Sequence, residues 1–347
     1  MARVTMHDVA REAGYSVATV SRVLTGSRRV QPRIVRAVRE AQERLGYRTN
    51  QLARAMRRQS TDTVGMVVPQ IANPFFTALV QSVERSLHRS GQGLLLCDGE
   101  ESPEVEAERV RTLLARQVDG LLIVPYDTHE SANSVREASD EVPVVQLDRV
   151  VADVGTDSVA VDNELGMADL IRHLADQGWR QLAFIGAQPT TSPAAERLSA
   201  YLTHGGQLAG DNTRHVLLGD FSIAWGQRAG AQLTEDHLPD AIVCGNDLIA
   251  LGVLDVLSGR GLRVPDDVAV AGFDDIAFAA LIRPTLTSVR QPVDELGAEA
   301  VRTLMSRLAR KDGMPRKIRI QPSVVARQST TDPASQITAD RGAWARS

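Results

Sequence analysis

The chain has 347 residues, of which 43% are hydrophobic and 24% are charged, and its net charge is −4. This length suits two or three domains rather than one. It contains no run of 18 or more apolar residues, and its first ten residues lack the apolar stretch of a signal peptide. We therefore expect a cytoplasmic protein that neither spans a membrane nor is secreted.

Charge is distributed unevenly along the chain. Residues 1–60 contain 13 arginines, no lysine and four acidic residues, which gives a net charge of +9. The remaining residues carry 26 basic and 39 acidic side chains, a net charge of −13. A basic head on an acidic body indicates a nucleic-acid-binding module joined to a domain with another role. A solvated surface is the alternative, because the whole chain uses 37 arginines and only two lysines.

Three short helices are predicted in the head, at Met6–Ala13, Val17–Leu24 and Pro32–Leu45. Thr5 and Ser16 are suitable N-cap residues for the first two helices, and Gly14 tolerates the positive φ that ends the first. Pro32 suits the first turn of the third helix, where its missing N–H costs no hydrogen bond.

The first two helices have the spacing of a helix-turn-helix motif. Ala10 is small where the helices would cross, Gly14 can form the turn, and Val20 can lock the second helix onto the first. The second helix would then lie in the major groove of DNA with its N-terminal residues at base edges. The base-contacting candidates are Val17, Ala18 and Arg22, and the phosphate-contacting candidates are Ser16, Thr19, Ser21 and either Arg28 or Arg29. A three-helix bundle that binds another protein is the alternative.

The head is followed by a short helix-compatible stretch at 50–58 and a polar linker at 59–63. In the rest of the chain, strand-like and helix-like runs alternate. This alternation predicts parallel α/β sheets in two lobes. The predicted strands are Val64–Pro69, Gly93–Cys97, Gly120–Pro125 and Pro143–Leu147 in the first set, then Leu182–Gly186, His215–Leu218, Ala241–Cys244 and Val268–Phe273 in the second. A late strand is predicted at Lys317–Val325. Cys97 and Cys244 lie within strands, which favours buried free thiols over a disulfide.

Several motifs connect these features to a known family. Residues 4–24 and the following Leu45-Gly46-Tyr47-Arg48 resemble the N-terminal signature of the LacI/GalR family of transcriptional regulators. Later matches are Asn73-Pro74-Phe75-Phe76, Val118-Asp119-Gly120, Leu147-Asp148-Arg149, Asn246-Asp247, Gly272-Phe273-Asp274-Asp275 and Ser288-Val289-Arg290-Gln291-Pro292. The resemblance extends to about Gln328, and its specificity comes from the order and spacing of the motifs together.

The resemblance implies a fold of three segments. These are an all-α helix-turn-helix DNA-binding domain at 1–49, a hinge helix and linker at 50–60, and a two-lobed α/β domain like the periplasmic binding proteins at 61–328. Residues 329–347 carry no periodic apolar pattern, so a disordered tail is predicted there. The two-lobed domain would bind the effector and form a homodimer or a tetramer.

The resemblance also implies further DNA contacts. Two hinge helices of a dimer would enter the minor groove of a pseudo-palindromic operator, where an apolar side chain wedges into a base step. The residues implied in addition to those of the second helix are Thr5, Tyr47, Asn50, Leu52, Ala53 and Met56. Met56 stands where leucine is usual and Thr49 where proline is common. Leu52 and Met56 could also serve contact between the two hinge helices.

Seven positions correspond to the effector cleft of the family: Phe75, Phe76, Arg149, Arg197, Phe221, Asn246 and Asp274. The charged and amide groups could bind vicinal hydroxyls, or a carboxylate or phosphate through the arginines. Core packing is the alternative for the phenylalanines, and a turn or cap role is the alternative for Asp274. Gly205-Gly206 interrupts a helix that is usually continuous in the family.

The sequence therefore predicts a repressor whose operator affinity is controlled by a sugar, a sugar derivative or a nucleoside. No motif of an enzyme, metal site or cofactor site occurs, so no catalytic residue, metal or cofactor is expected. A periplasmic transport protein would have a signal peptide and no basic head. A protein co-effector in place of the small molecule remains an alternative, and the direction of the switch is open.

Overall fold

The computed structural model describes residues 4–25, 30–47, 60–206, 215–236, 238–310 and 313–331. The chain divides into two compact units, with the boundary between Thr61 and Asp62. We call the first unit the head and the second the body. The predicted hinge at 50–58 lies outside the described residues.

The head is built from helices α1 (Met6–Ala13), α2 (Val17–Thr25) and α3 (Pro32–Leu45). The predicted N-cap of α1 is confirmed, because the Thr5 hydroxyl accepts from the Asp8 amide while the Asp8 carboxylate accepts from the Thr5 amide. Gly14 ends α1 at φ 71°. The Ser16 hydroxyl accepts from the Thr19 amide at the start of α2. Local hydrogen bonds thus fix the turn of the motif.

A small core holds the three helices of the head together. Val9, Val20 and Val38 are completely buried, and Ala10 is 6% exposed at the helix crossing. This is the arrangement that the spacing of Ala10, Gly14 and Val20 predicted. The faces of α2 and α3 that carry polar residues stay outside the core.

The first lobe of the body is a six-stranded sheet in the order β11-β5-β4-β3-β1-β2, and all of its strand pairs are parallel. Its strands are β1 (Thr63–Val68), β2 (Gly93–Asp98), β3 (Gly120–Ile123), β4 (Val144–Leu147), β5 (Asp157–Val161) and β11 (Lys317–Ile320). Its helices are α4 (Pro74–Arg89), α5 (Pro103–Ala115), α6 (Ala132–Glu141) and α11 (Val293–Ala309).

The second lobe is a six-stranded sheet in the order β12-β10-β9-β8-β6-β7. Its strands are β6 (Leu182–Ala187), β7 (His215–Gly219), β8 (Ala241–Cys244), β9 (Ala269–Asp274), β10 (Thr287–Arg290) and β12 (Ser323–Val325). Its helices are α7 (Asn163–Asp176), α8 (Ser192–Ala200), α9 (Ile223–Asp236) and α10 (Asp247–Gly259). Only β12 runs antiparallel to its neighbour, β10, among the described pairs.

The chain crosses between the lobes three times: after β5, after β10, and between β11 and β12. The prediction of one late strand at Lys317–Val325 was therefore wrong. The run breaks at Gln321-Pro322, since proline has no N–H to give to a strand ladder. Its two halves become edge strands of different sheets, β11 beside β5 and β12 beside β10.

The predicted boundary of the tail at 329 was also wrong. Ser329 and Thr330 are completely buried, and Thr331 is 8% exposed. The Ser329 hydroxyl donates to the Val270 carbonyl at 2.6 Å, and the Trp179 indole N–H donates to the Thr330 carbonyl at 3.0 Å. These bonds hold residues 329–331 against the second sheet. Residues 332–347 lie outside the described residues.

The predictions on the two cysteines and on the interrupted helix were each only partly right or wrong. Both cysteines are free thiols, but only Cys244 is buried, because Cys97 lies on the edge strand β2 and is half-buried. The helix α8 is not interrupted before Gly205-Gly206, since a π-helical turn, Tyr201–Gly205, continues it. Tyr201 anchors that turn by stacking on Phe184 and donating to the Leu182 carbonyl.

No helix among the described residues is long and apolar enough to cross a membrane.

Candidate DNA-binding face and effector cleft

The exposed side of α2 is the candidate DNA-binding face. Ser16, Ala18 and Arg22 are exposed, and Thr19 and Ser21 are half-buried. Val17 is also half-buried and packs against the core of the head, so it has less surface to offer a base than the sequence suggested. Arg22 therefore presents the main group on this face that can form two hydrogen bonds to one base.

The other residues predicted to contact DNA lie away from the exposed side of α2 or outside the described residues. Tyr47 is 7% exposed and belongs to the core of the head, where the Gln42 amide donates to its carbonyl. The Thr5 hydroxyl is engaged with Asp8 in the cap of α1. Arg29, Asn50, Leu52, Ala53 and Met56 lie outside the described residues.

All seven residues expected at the effector cleft line one cavity between the two lobes. The first lobe contributes Phe75, Phe76 and Arg149, and the second contributes Arg197, Phe221, Asn246 and Asp274. Arg149, Phe221, Asn246 and Asp274 lie at or just beyond the C-terminal ends of strands, the usual ligand position in an open α/β sheet. Phe75 and Phe76 lie in the first turn of α4, and Arg197 lies in α8. The cavity volume is about 20 Å³, room for about one water molecule. A larger molecule must therefore part the lobes or displace side chains.

Arg197 is the centre of a buried polar network in the second lobe. Its guanidinium donates to Asn163 Oδ1 and to the Gly245 carbonyl, both at 2.8 Å, and lies 3.5 Å from Asp274 Oδ1. The same group lies 3.6 Å above the Phe273 ring. Because every one of these contacts is buried, the network fixes the position of the second wall of the cleft.

Asp274 is held from two sides and is not simply a turn residue. Besides Arg197, the Gln291 amide donates to Asp274 Oδ1 at 2.7 Å. Asp274 adopts φ 107°, a backbone conformation that is strained for a non-glycine residue. Burial raises the pKa of this carboxyl, while the charge of Arg197 opposes the rise.

Arg149 lies between aromatic rings of both lobes. Its guanidinium is 5.4 Å from the ring centre of Phe76 in α4 and 6.0 Å from that of Phe221, which follows β7. Nη1 donates to the Tyr126 carbonyl at 3.1 Å. Both phenylalanines thus stack on an arginine, and Phe76 also packs in the core of the first lobe.

Asp148 and Gln291 line the same cavity and were missed as site residues. Asp148 is 4% exposed, and burial raises its pKa to about 6. Asp148 Oδ1 and Gln291 Oε1 are buried and accept no hydrogen bond from any described residue. The signal for Asp148 was its place directly after the predicted strand ending at Leu147. Asn73 and Pro193 complete the lining.

Comparison with known proteins agrees with this architecture. Residues 5–50 match the family described as bacterial regulatory proteins, lacI family, and residues 171–330 match the periplasmic binding protein-like domain. The ribose operon repressor of Escherichia coli (strain K12) is 34% identical over 329 residues, which cover 94% of this chain and 99% of that protein.

The chain belongs to the lacI family of bacterial regulatory proteins. Another relative of this lacI-family chain is the HTH-type transcriptional repressor PurR of Aliivibrio fischeri (strain MJ11), 33% identical over 94% of the chain and 98% of that protein. A crystal structure of the lac repressor dimer bound to operator and the anti-inducer ONPF matches with a TM-score of 0.85 and 27% identity. That match covers 95% of the chain and 100% of the solved one.

The lacI-family chain is therefore a DNA-binding transcriptional regulator with a helix-turn-helix head and a two-sheet body. Both relatives and the solved neighbour carry names of repressors and not of enzymes.

Proposed function

We propose that this regulator is a cytoplasmic repressor whose affinity for a pseudo-palindromic operator is controlled by a small polar effector bound between the lobes. It acts as a homodimer, with each head reading one half-site. The observation that carries the proposal is the cleft itself, where two buried arginines, two buried aspartates and three buried amide side chains from both lobes converge.

We infer that the effector acts on DNA binding by the head through the angle between the two lobes of the body. We also infer that the three crossings act as hinges, because they are the places where the chain passes from one lobe to the other. Contacts between the lobes include the Val150 amide donating to the Ser192 hydroxyl and Arg319 pairing with Glu196 at 2.6 Å. An effector that binds both walls changes the angle between the lobes, and hence the relation of the two first lobes in the dimer. By linkage, operator DNA then changes effector affinity by the same factor.

The direct test is fluorescence anisotropy of a labelled operator from the gene's own upstream region, with and without sugars, sugar acids and nucleosides. A tenfold shift in operator affinity, about 1.4 kcal/mol of coupling, would establish effector control and its direction. Tight operator binding that no compound shifts would leave the head assignment standing and contradict small-molecule control.

Replacing Arg22 with alanine is expected to weaken operator binding by about 1–3 kcal/mol and to reduce discrimination against random DNA, because a two-bond contact to one base is lost. Arg39→Ala is the matched control, since Arg39 is also exposed in the head but lies on α3. It should weaken operator and random DNA equally. Undiminished discrimination by the Arg22 variant would refute its role at a base.

A further inference from the structure

The loop at 126–131, between β3 and α6, contacts the second lobe. The Thr128 amide and the Thr128 hydroxyl both donate to the Thr190 carbonyl, at 2.8 and 3.0 Å. Thr190 lies between β6 and α8, directly before Thr191, whose hydroxyl caps α8. One carbonyl of the second lobe thus accepts both donors of a single residue of the first lobe.

Hydrogen bonds of Asp127 make this loop a rigid unit. Its Oδ1 accepts from the amides of His129 and Glu130, at 2.7 and 3.0 Å. Its own amide donates to the Ser131 hydroxyl at 3.1 Å. Because these bonds tie the two ends of the loop to its middle, the loop holds Thr128 in a fixed position toward the second lobe.

Glu106 of α5 binds the loop at both of its ends. Its Oε2 accepts from the Tyr126 amide at 2.7 Å and from the Ser131 hydroxyl at 3.1 Å. Its Oε1 accepts from the Ser134 hydroxyl, in the first turn of α6, at 2.6 Å. Glu106 is 1% exposed and forms no ion pair with any described residue. Burying a charge costs free energy that an apolar residue would not cost here, which indicates a role in holding the loop.

The same loop supports one wall of the cleft. Arg149 donates to the Tyr126 carbonyl at 3.1 Å. On the other side, Thr190 directly precedes the cap of α8, the helix that carries Arg197. The contact between Thr128 and Thr190 therefore joins the supports of an arginine in each wall. Neither threonine lines the cleft cavity, so the contact forms without an effector.

We propose that residues 126–131 form a latch, anchored by Glu106, which holds the two lobes together before any effector binds. The closed cavity has room for about one water molecule, so an effector that parts the lobes must first release the latch. The strength of the latch therefore sets the effector concentration at which the regulator responds. Glu106 is a positioning residue, since it acts on Thr128 through the loop. This regulatory role rests on the effector control proposed above, whereas the latch itself can be tested without an effector.

The test measures amide hydrogen exchange of the full chain by NMR, without effector. The reporter is the Val150 amide, which donates to the Ser192 hydroxyl across the lobes at 2.9 Å, a bond that the latch does not form. Its exchange rate follows the fraction of molecules with parted lobes. Thr128→Val removes the hydroxyl bond of the latch and should speed this exchange about three- to fivefold. Thr128→Ser keeps the hydroxyl and is the matched control, which should exchange like wild type. The Leu121 amide, bonded within the first lobe, should be unchanged in both.

Variants of the anchor test the role of Glu106. Glu106→Leu removes both acceptors at similar size, so the Val150 amide should exchange about tenfold faster or more, because several hydrogen bonds are lost together. Glu106→Gln can still accept from the Tyr126 amide and can donate to the Ser134 hydroxyl, so it should rescue most of the protection. Glu108→Gln is the matched control, since it removes an exposed carboxylate from the same helix.

Operator anisotropy with the panel of sugars, sugar acids and nucleosides tests the regulatory role. For a compound that shifts operator affinity, the concentration at half-shift should be about three- to fivefold lower in Thr128→Val than in wild type, because the parted arrangement is more populated. Thr128→Ser should respond like wild type.

Exchange at Val150 that stays at the wild-type rate in Thr128→Val would overturn the latch, and the same result in Glu106→Leu would overturn its anchor. Equal acceleration at Val150 and Leu121 would also overturn the latch, because it shows a general loss of stability. If Glu106→Leu does not fold, Thr128→Val carries the test. An unchanged half-shift concentration in Thr128→Val would overturn the regulatory role. If no compound shifts operator affinity, the proposed effector control and the regulatory role fail, while hydrogen exchange still decides the latch.

Discussion

Replacing Arg197 with leucine is expected to abolish the response to effector while the head continues to bind operator DNA. Leucine retains the apolar stem but leaves Asn163 Oδ1 and the Gly245 carbonyl without the Arg197 donor, and it removes the cation beside Asp274. The free energy of unfolding of the body should fall by about 3–5 kcal/mol, because Asp274 becomes a buried charge without its cation. Denaturant unfolding measures the stability, and operator anisotropy in the presence of effector measures the response.

The double variant Arg197→Leu with Asp274→Asn separates the two effects. Removing both charges should recover most of the lost stability, yet the effector response should remain absent. If the double variant is no more stable than the single one, the charge of Asp274 is not the source of the loss. A single variant that still responds to effector would exclude Arg197 from the site.

Replacing Asp148 with asparagine is expected to stabilise the body at neutral pH and to reduce its pH dependence. Burial raises the pKa of the Asp148 carboxyl from its ordinary 3.8 to about 6. Between these values the folded state holds the proton more tightly than the unfolded state, so stability falls as the pH rises from about 4 through about 6. The loss is complete above that window and amounts to roughly 3 kcal/mol. Asparagine carries no charge, so the variant does not undergo this loss of stability.

The measurement is the free energy of unfolding of wild type and variant between pH 4.5 and 8, from denaturant titrations. Buried Asp247 and Asp274 also have raised pKa values, so the wild-type curve contains their contributions too. The difference between the two curves gives the contribution of Asp148 together with its electrostatic coupling to Asp274. Asp140→Asn, at an exposed position on α6, should run parallel to wild type. A parallel curve for Asp148→Asn would show that burial does not control its protonation.

The helices of the head could be predicted to within one residue because their ends depend on local chemistry. Thr5, Gly14 and Pro32 act through hydrogen bonds and backbone angles within a few residues of themselves. Most strands of the body were predicted for a similar reason, since each is an apolar run bounded by polar residues.

The strand β5 (Asp157–Val161) lacked such a signal. It begins with Asp157, which is 2% exposed. Arg307 donates to both carboxylate oxygens from a helix 150 residues away, and the Arg316 amide donates to Oδ1. Pro322 was a local signal for the break in the late strand, but the sequence did not show which sheet each half of the run joins. Contacts across the whole length of the chain decide the position of β5 and the partners of the two halves.

In the cleft, too, the sequence predicted some features, while others depend on contacts between distant parts of the chain. Family motifs were enough to choose seven side chains that the structure brings together, and their role toward an effector stays a proposal. The sequence could not show which polar groups lack a partner, and it therefore missed Asp148 and Gln291. It also could not show that Arg149 lies between the rings of Phe76 and Phe221.

The last crossing between the lobes has a consequence for synthesis of the protein. The residues of the head form one continuous stretch that ends near residue 47, whereas each sheet of the body lacks an outer strand until residues 317–325 have been made. At a translation rate of about 5–20 residues per second, roughly 10 to 60 seconds separate the two events. On the ribosome, a module that reads DNA is therefore complete well before the structure that controls it.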